Sequence, residues 1–392
     1  MSLKYILIRD GGNKMYNKFG ARMIESFDEY EKLSEKYNIP ISEIILMDLN
    51  RCGINLPNNE VRVDFRVRFK AEILDSYNSW YALPVRNEED TPFKAYDGNI
   101  YLFDKVIGSF DELRLDTCES SYQRGPHLLN LNSRSRSNCG GCKACVHNYH
   151  DFYDETVIRD NTPLRTSDDI NKFFDDKKID VEKLVQIAVV TGLFHGEKNV
   201  LDHMNLVNSV AKSRGFNGEL MYFGCEVNSD EALKELSEID NFKLIYALDN
   251  FTKRDSLLAK TKSLITLDKA NETLSKAKDL GIKTSISYIA GIDELKDVIN
   301  GFTLLKDSFT SFPIINIYQI QNNDQARILN DEAKDLEYYI LSRIKLEELF
   351  HNTGMKPKRW ENYRPLWYDY YENEKVLDNA YGQLESVKKL VK

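Results

Sequence analysis

The sequence predicts an α/β fold: six strand–helix units, preceded by a smaller α+β region and followed by a helical, aromatic extension. Three observations point there. From about Gly125, short apolar runs alternate with amphipathic helical patterns, as in parallel sheets with right-handed crossovers. Earlier in the chain, Val61 to Phe69 alternates apolar and polar residues strictly, the period of a half-buried strand. With 42% hydrophobic residues in 392, the chain has material for a sizeable core.

Residues 1–115 form the first expected region. Phe27 to Tyr37 reads as a charged helix, Asn87 to Pro92 as a polar connection, and Asn99 to Val106 as a strand. This accessory region carries no recognisable chemistry. Residues 120–330 are the expected core. Its strand-like runs are His127 to Leu131, Leu184 to Val190, Glu219 to Phe223, Phe242 to Ala247, Thr284 to Ile289 and Pro313 to Ile320. Between them, Val200, Met204, Val207 and Ala211 share one helical face, as do Ala270, Leu274 and Ala277, closed by Gly281. Leu295, Val298, Phe302 and Leu305 form a third such face, and the last helix spans about Asp335 to Phe350. Residues 331–392 form the extension. Six units, against the eight of a closed TIM barrel, fit either an open doubly wound sheet or an incomplete barrel. Both place active residues at the C-terminal ends of the strands.

Charge narrows the functional classes. Lys and Arg number 53 and Asp and Glu 62, for a net charge of −9, which argues against a broad nucleic-acid-binding surface. No apolar run reaches the ~18 residues of a membrane span. The opening MSLKYILIRD lacks the pattern of a cleaved signal peptide. The expectation is a soluble, cytoplasmic protein.

Of the six cysteines, three fall within seven residues: Cys139, Cys142 and Cys145, in the segment CGGCKAC. A secreted disulfide scaffold is short and cysteine-dense, and this chain is neither. Clustered thiols in a reducing compartment read as ligands for zinc or an iron–sulfur cluster. A structural zinc site closes with four protein ligands, and His147 or His150 stands at a workable spacing for the fourth. Bacterial ferredoxins add a cysteine after the triplet, where this chain has Tyr149. A [4Fe–4S] cluster on three thiols leaves one iron open to a small molecule. Cys52, Cys118 and Cys225 read as small buried apolar residues.

The CxxCxxC segment after the first core strand resembles the cluster loop of the radical S-adenosylmethionine superfamily. The resemblance covers about Gly125 to Gln321. After the second strand, Gly196-Glu197 is similar to the end of that family's GGE-like motif, with His195 in place of the first glycine. Asp249-Asn250 follows the fourth strand, where the family places polar contacts to the methionyl or ribose part. Gly291 and Glu294 resemble its fifth-strand element, whose backbone cradles adenine; the earlier glycine of that element is absent here. The usual loop is CxxxCxxC; here the first gap is one residue shorter, and Ala144 stands where the family has an aromatic residue.

The resemblance implies a partial (β/α)6 TIM-like barrel. It implies a [4Fe–4S] cluster on Cys139, Cys142 and Cys145, with S-adenosylmethionine held by Gly196, Glu197, Asp249, Asn250, Gly291 and Ile292. Reductive cleavage would give a 5′-deoxyadenosyl radical that takes hydrogen from a small-molecule or peptide substrate. A flavodoxin- or ferredoxin-type electron donor is implied as well. No residue is assigned as catalytic. Rival readings are a zinc- or cluster-stabilised binding module and an electron-transfer protein. Ordinary structural roles stay open for single residues: a helix N-terminal carboxylate for Glu197, a strand-to-helix turn for Gly291. Glu226 faces either the pocket or solvent. The aromatic tail from Trp360 to Tyr371 is either a packed cap or a lid over the substrate.

Overall fold

The computed structural model describes residues 8–9, 14–56, 62–69, 79–115, 121–124, 127–132, 141–145, 164–190, 194–362 and 364–375. The chain divides into two units. The first comprises Met1–Asp116, Ile289–Asn300 and Ile315–Leu377; the second comprises Thr117–Tyr288, Gly301–Ile314 and Asp378–Lys392.

In the first unit, Ser26 caps helix α1 (Phe27–Tyr37) by accepting the Glu29 N–H, and Asn38 ends it in the left-handed region at φ 52°. Helix α2 (Ile41–Cys52) starts after Pro40 and stops at Gly53, whose φ is +78°. A Cβ at Gly53 would lie 2.3 Å from the Pro84 carbonyl oxygen, so close approach and positive φ both demand glycine. Six strands follow: β1 (Ile54–Asn55), β2 (Arg62–Phe69), β3 (Ser79–Arg86), β4 (Phe93–Tyr96), β5 (Asn99–Leu102) and β6 (Lys105–Leu115). They close a barrel in the order β1-β3-β2-β6-β5-β4. The alternating Val61–Phe69 run becomes β2, paired on both sides. Asp97-Gly98, both at positive φ, turns β4 into β5, the residue pair a type I′ hairpin favours. The run Asn99 to Val106 is not one strand. A tight turn at Phe103-Asp104 breaks it, with Phe103 at φ 53°. No glycine or asparagine marks that turn, so the pattern reads straight through it.

A seven-stranded sheet carries the core. Its strands are β7 (Tyr122–Arg124), β8 (Leu128–Leu131), β9 (Gln186–Val190), β10 (Glu219–Gly224), β11 (Phe242–Asp249), β12 (Lys283–Ala290) and β13 (Ile314–Ile317). Their spatial order is their chain order. β8 to β12 pair in parallel, each with the next, while β7 is an added antiparallel edge strand. Helices α3 (Ser167–Asp176), α4 (Glu197–Ser213), α5 (Asp230–Ser237), α6 (Leu267–Asp279) and α7 (Leu295–Leu305) supply the crossovers, and α8 (Leu336–Phe350) follows β13.

Sequential order decides between the two architectures left open by the sequence. A doubly wound sheet reverses its strand order at a switch point. Without a reversal, right-handed crossovers put every helix on one face, and the sheet curls into a partial TIM-like barrel. Ala188, Met221, Ile245 and Ile314 form a buried layer, with Val190 and Phe223 packed on it. Val200, Met204, Val207, Ala211, Ala270, Leu274 and Ala277, the expected helix faces, are all buried. β11 is buried from Phe242 to Leu248, as a strand covered on both faces must be. The sixth run is shorter as a strand than its apolar stretch. It ends at Ile317, and Tyr318 to Gln321 continue as a fixed loop, starting with a Tyr318 N–H bond to the Ala290 carbonyl (2.8 Å).

Candidate active site at the strand ends

Two carboxylates organise the ends of β9 and β10. Gly196, at φ +91° and with nothing within 4 Å of its would-be Cβ, turns the chain into α4; backbone conformation, not crowding, requires glycine there. Glu197 is the first residue of α4. Its carboxylate accepts the N–H groups of Asn228 (2.6 Å) and Ser229 (2.8 Å) and the Ser229 hydroxyl (2.6 Å). Burial alone would raise its pKa, but these three donors hold it below the ordinary 4.5. Ser229 in turn caps α5 through the Ala232 N–H, so Glu197 ties the loop after β9 to the loop after β10. Glu226 also joins these two loops. It accepts the Phe194 N–H (2.8 Å), the Cys225 N–H (2.7 Å) and the Tyr222 hydroxyl.

Glu197→Gln is expected to cost about 1–3 kcal/mol at pH 7, the worth of hydrogen bonds to a charged group. A carboxyl with a lowered folded pKa stabilises above its unfolded pKa and loses that contribution as pH falls through the folded value. The gap between the urea midpoints of wild type and variant should therefore be full at pH 7 and narrow as the pH is lowered below 4.5. A constant gap would show that charge plays no part.

The end of β11 is irregular. The register shifts between Ala247 and Asp249, and Asp249 has φ 66°. Asp249 pairs with Lys262 and accepts from the Ser287 hydroxyl of β12 at 3.3 Å. Arg254 pins the following loop by donating to the carbonyls of Leu248 (2.7 Å), Asn250 (2.6 Å) and Lys262 (3.0 Å). Asn250 is fully buried. Its amide nitrogen donates to Thr252, and its Oδ1 has no hydrogen-bond partner among the described residues.

This loop receives the cysteine segment. Gly141 takes φ +74°. The Cys145 N–H closes a turn on the Cys142 carbonyl (2.9 Å), and the Lys143 N–H bonds the Leu257 carbonyl (2.7 Å). The Cys142 sulfur accepts the Ala259 N–H at 3.3 Å. Cys142 and Cys145 are half-buried, and neither is in a disulfide among the described residues. Cys139, His147, Tyr149, His150 and Cys118 lie outside the described residues. Among those described, no group of three or more His, Cys, Asp or Glu residues could hold a metal ion.

Lys262 stands at the centre of this arrangement. Burial would depress its pKa, but Asp249, Cys142 and Cys225 outweigh it and keep the ammonium charged. Cys225 is 5% exposed, and burial pushes its thiol up to about 12 against the opposing pull of Lys262. Asp249 and Cys142 thus meet around one lysine, whereas Asn250 turns into its own loop. The sequence did not single out Lys262 or Ser287. Lys262 sits in the run KTKS, which looks like any solvated surface, and only the fold of the 250–262 loop turns it inward.

In the first unit, β12 runs into Gly291 at φ +118°. A Cβ there would lie 2.8 Å from the Tyr339 hydroxyl and 3.2 Å from the Tyr318 Cβ. The Gly291 carbonyl accepts the Asn330 N–H (2.9 Å), and Ile292 is 1% exposed. In the aromatic tail, Trp367, Tyr368 and Tyr371 are buried, and Tyr363 lies outside the described residues. No helix among the described residues is long and apolar enough to cross a membrane.

No protein-family model matches the chain, and no curated protein matches it. Several solved structures are similar. SuiB of Streptococcus suis, bound to S-adenosylmethionine, has a TM-score of 0.38 at 11% identity, over 57% of this chain and 49% of that one. HydG, the FeFe-hydrogenase maturase of Carboxydothermus hydrogenoformans, has 0.40 at 13%, over 68% and 65%. TsrM of Kitasatospora setae, a radical S-adenosylmethionine methyltransferase, has 0.33 at 10%, over 49% and 36%. The chain thus spans 49%, 65% and 36% of the lengths of these three proteins. With TM-scores this low, chemistry has to be read from the chain's own residues.

Proposed function

We propose that the chain is a radical S-adenosylmethionine enzyme, with a [4Fe–4S] cluster on Cys139, Cys142 and Cys145. The observation that carries this reading is the docking of the Cys142–Cys145 turn onto the loop after β11, beside Asp249 and Lys262. The donor set fits the group. Two thiols lie in one turn, and Cys142 already accepts a backbone N–H, the outer hydrogen bond that orients and tunes a thiolate ligand. When bound, the cluster and its cosubstrate supply a reducing electron and a 5′-deoxyadenosyl radical for hydrogen abstraction.

The chain's own residues bind, orient and shield. Lys262 offsets thiolate charge in a partly desolvated setting, and Asp249 with Ser287 holds it there. Glu197 spends three of its roughly four acceptor sites on protein donors, which leaves one for the cosubstrate amine and fixes its position. Gly196 shapes that turn. Asn250 offers a buried acceptor to a ribose hydroxyl, and Gly291 with Ile292, at the end of β12, are the proposed adenine contacts. A small-molecule or peptide substrate and a flavodoxin- or ferredoxin-type electron donor complete the proposal.

The test is anaerobic reconstitution with iron and sulfide, then dithionite and S-adenosylmethionine, with 5′-deoxyadenosine as the readout. Its appearance in wild type, and not in cysteine variants, is the expected result. One zinc per chain and no cosubstrate cleavage would overturn the reading in favour of a structural metal module. A cluster with four protein ligands that ignores the cosubstrate would favour electron transfer.

A further inference from the structure

The segment after β13 carries a group of buried side-chain amides that the proposed cofactor chemistry does not use. Gln319 is 1% exposed and Gln321 9%. The Gln319 nitrogen donates to the carbonyls of Ala82 (2.8 Å) and Asn50 (3.2 Å), which fixes its orientation and leaves its Oε1 unpartnered among the described residues. Gln321 differs: both its Nε2 and its Oε1 lack a partner there.

The backbone around Gln321 is held from several sides. Its N–H donates to the Gln325 side chain (2.8 Å), Arg86 donates to the Ile320 carbonyl, and the Tyr318 hydroxyl donates to the Gln325 carbonyl (3.2 Å). Asn322 accepts the N–H groups of Asp324 and Gln325, both at 3.0 Å. A buried amide with an idle donor and an idle acceptor is destabilising, and stable folds rarely keep one. Here it is kept on a rigid support, in the loop that follows the C-terminal end of β13, the end at which such barrels bind their substrates.

We propose that Gln321 is a specificity-determining residue that reads an amide group of the substrate, a carboxamide or the N–H and C=O of one extended peptide residue, through paired donor and acceptor. This rests on the barrel enzyme reading above and deepens it by naming a substrate class. A carboxamide matches Gln321 because it presents an acceptor and a donor on one edge, and an extended peptide does so through the N–H and C=O of one residue, so both idle atoms are satisfied at once. Discrimination follows. An ester or a hydrocarbon of the same shape leaves the Gln321 pair unsatisfied on binding and is rejected.

The test uses full-length reconstituted protein and two readouts independent of turnover. First, Gln321→Met removes the idle amide at similar volume and is expected to raise the ligand-free melting temperature by about 2 °C or more. Gln319→Met, which removes bonds to Ala82 and Asn50, is expected to lower it. A fall for Gln321→Met would make the amide structural and overturn the proposal. Second, saturation-transfer NMR with N-acetylglycine N-methylamide is expected to give a signal in wild type that Gln321→Met loses. No signal in wild type, or one unchanged in the variant, overturns it. Adenosine is the second probe: if its signal is the one lost in Gln321→Met, the amide reads the cosubstrate instead. Loss of 5′-deoxyadenosine formation in wild type would sink the radical reading without touching either readout.

Discussion

Cys142→Ala is expected to abolish both the brown cluster chromophore and 5′-deoxyadenosine formation, the latter by about a thousandfold or more. Outer partners of a metal ligand are typically worth about 10–100-fold, and losing a ligand from a three-thiol site exceeds that. The Cys142 sulfur is also tied to the Ala259 N–H, so its loss removes a contact to the loop after β11 as well as a ligand. Its removal leaves the Lys262 ammonium near one fewer anionic partner and frees the turn that docks the loop. Iron and sulfide content per chain, read beside activity, separates loss of the cluster from loss of the fold. Cys225→Ala is the contrast. A 5% exposed thiol with its pKa pushed to about 12 is a packing residue, and that variant should keep its iron. Full iron content in Cys142→Ala would refute the proposed ligation.

The legible parts of this chain are those where one physical pattern dominates. Apolar runs flanked by amphipathic helices gave all six parallel strands, because β11 and its neighbours are buried on both faces and leave little room for polar residues. The Val61–Phe69 alternation was equally plain. The closed N-terminal barrel was not, since β1 has only two residues and Phe103-Asp104 turns without glycine. In the site, clustered cysteines declare themselves by spacing. Lys262 does not, because what turns it inward is a bulge at Asp249 and the Arg254 brace, both products of tertiary structure. Glu197 shows the mixed case. Its place at the start of a helix was readable, but its three donors come from the loop after β10, some thirty residues on. The aromatic tail was legible as apolar mass, while the charge that anchors it sits in α2.

That anchor sets the largest stability effect. Glu43 is fully buried, and its carboxylate accepts from Arg343 and from the N–H groups of Tyr368 (2.9 Å), Asp369 (2.7 Å) and Tyr370 (3.2 Å). Arg343, 1% exposed, also donates to Glu347 (2.9 Å) and the Tyr370 carbonyl (2.6 Å), and Trp367 donates to Glu347 (2.7 Å). Glu43→Leu strands a buried guanidinium and orphans three N–H groups, so it is expected to cost about 3–5 kcal/mol. That is a large part of the ~5–15 kcal/mol that folded domains hold in reserve. Arg343→Leu should cost less, because the carboxylate keeps three backbone donors that favour its charge. The double variant should lie between the two. It removes the stranded charge, as apolar replacement of a buried pair often does without penalty, but the three N–H groups stay unmet. Urea denaturation of the three variants measures the order directly. Limited proteolysis near residues 364–371 should show the tail released first in Glu43→Leu. Equal losses in both single variants would mean that the ion pair, not the backbone donors, holds the tail in place.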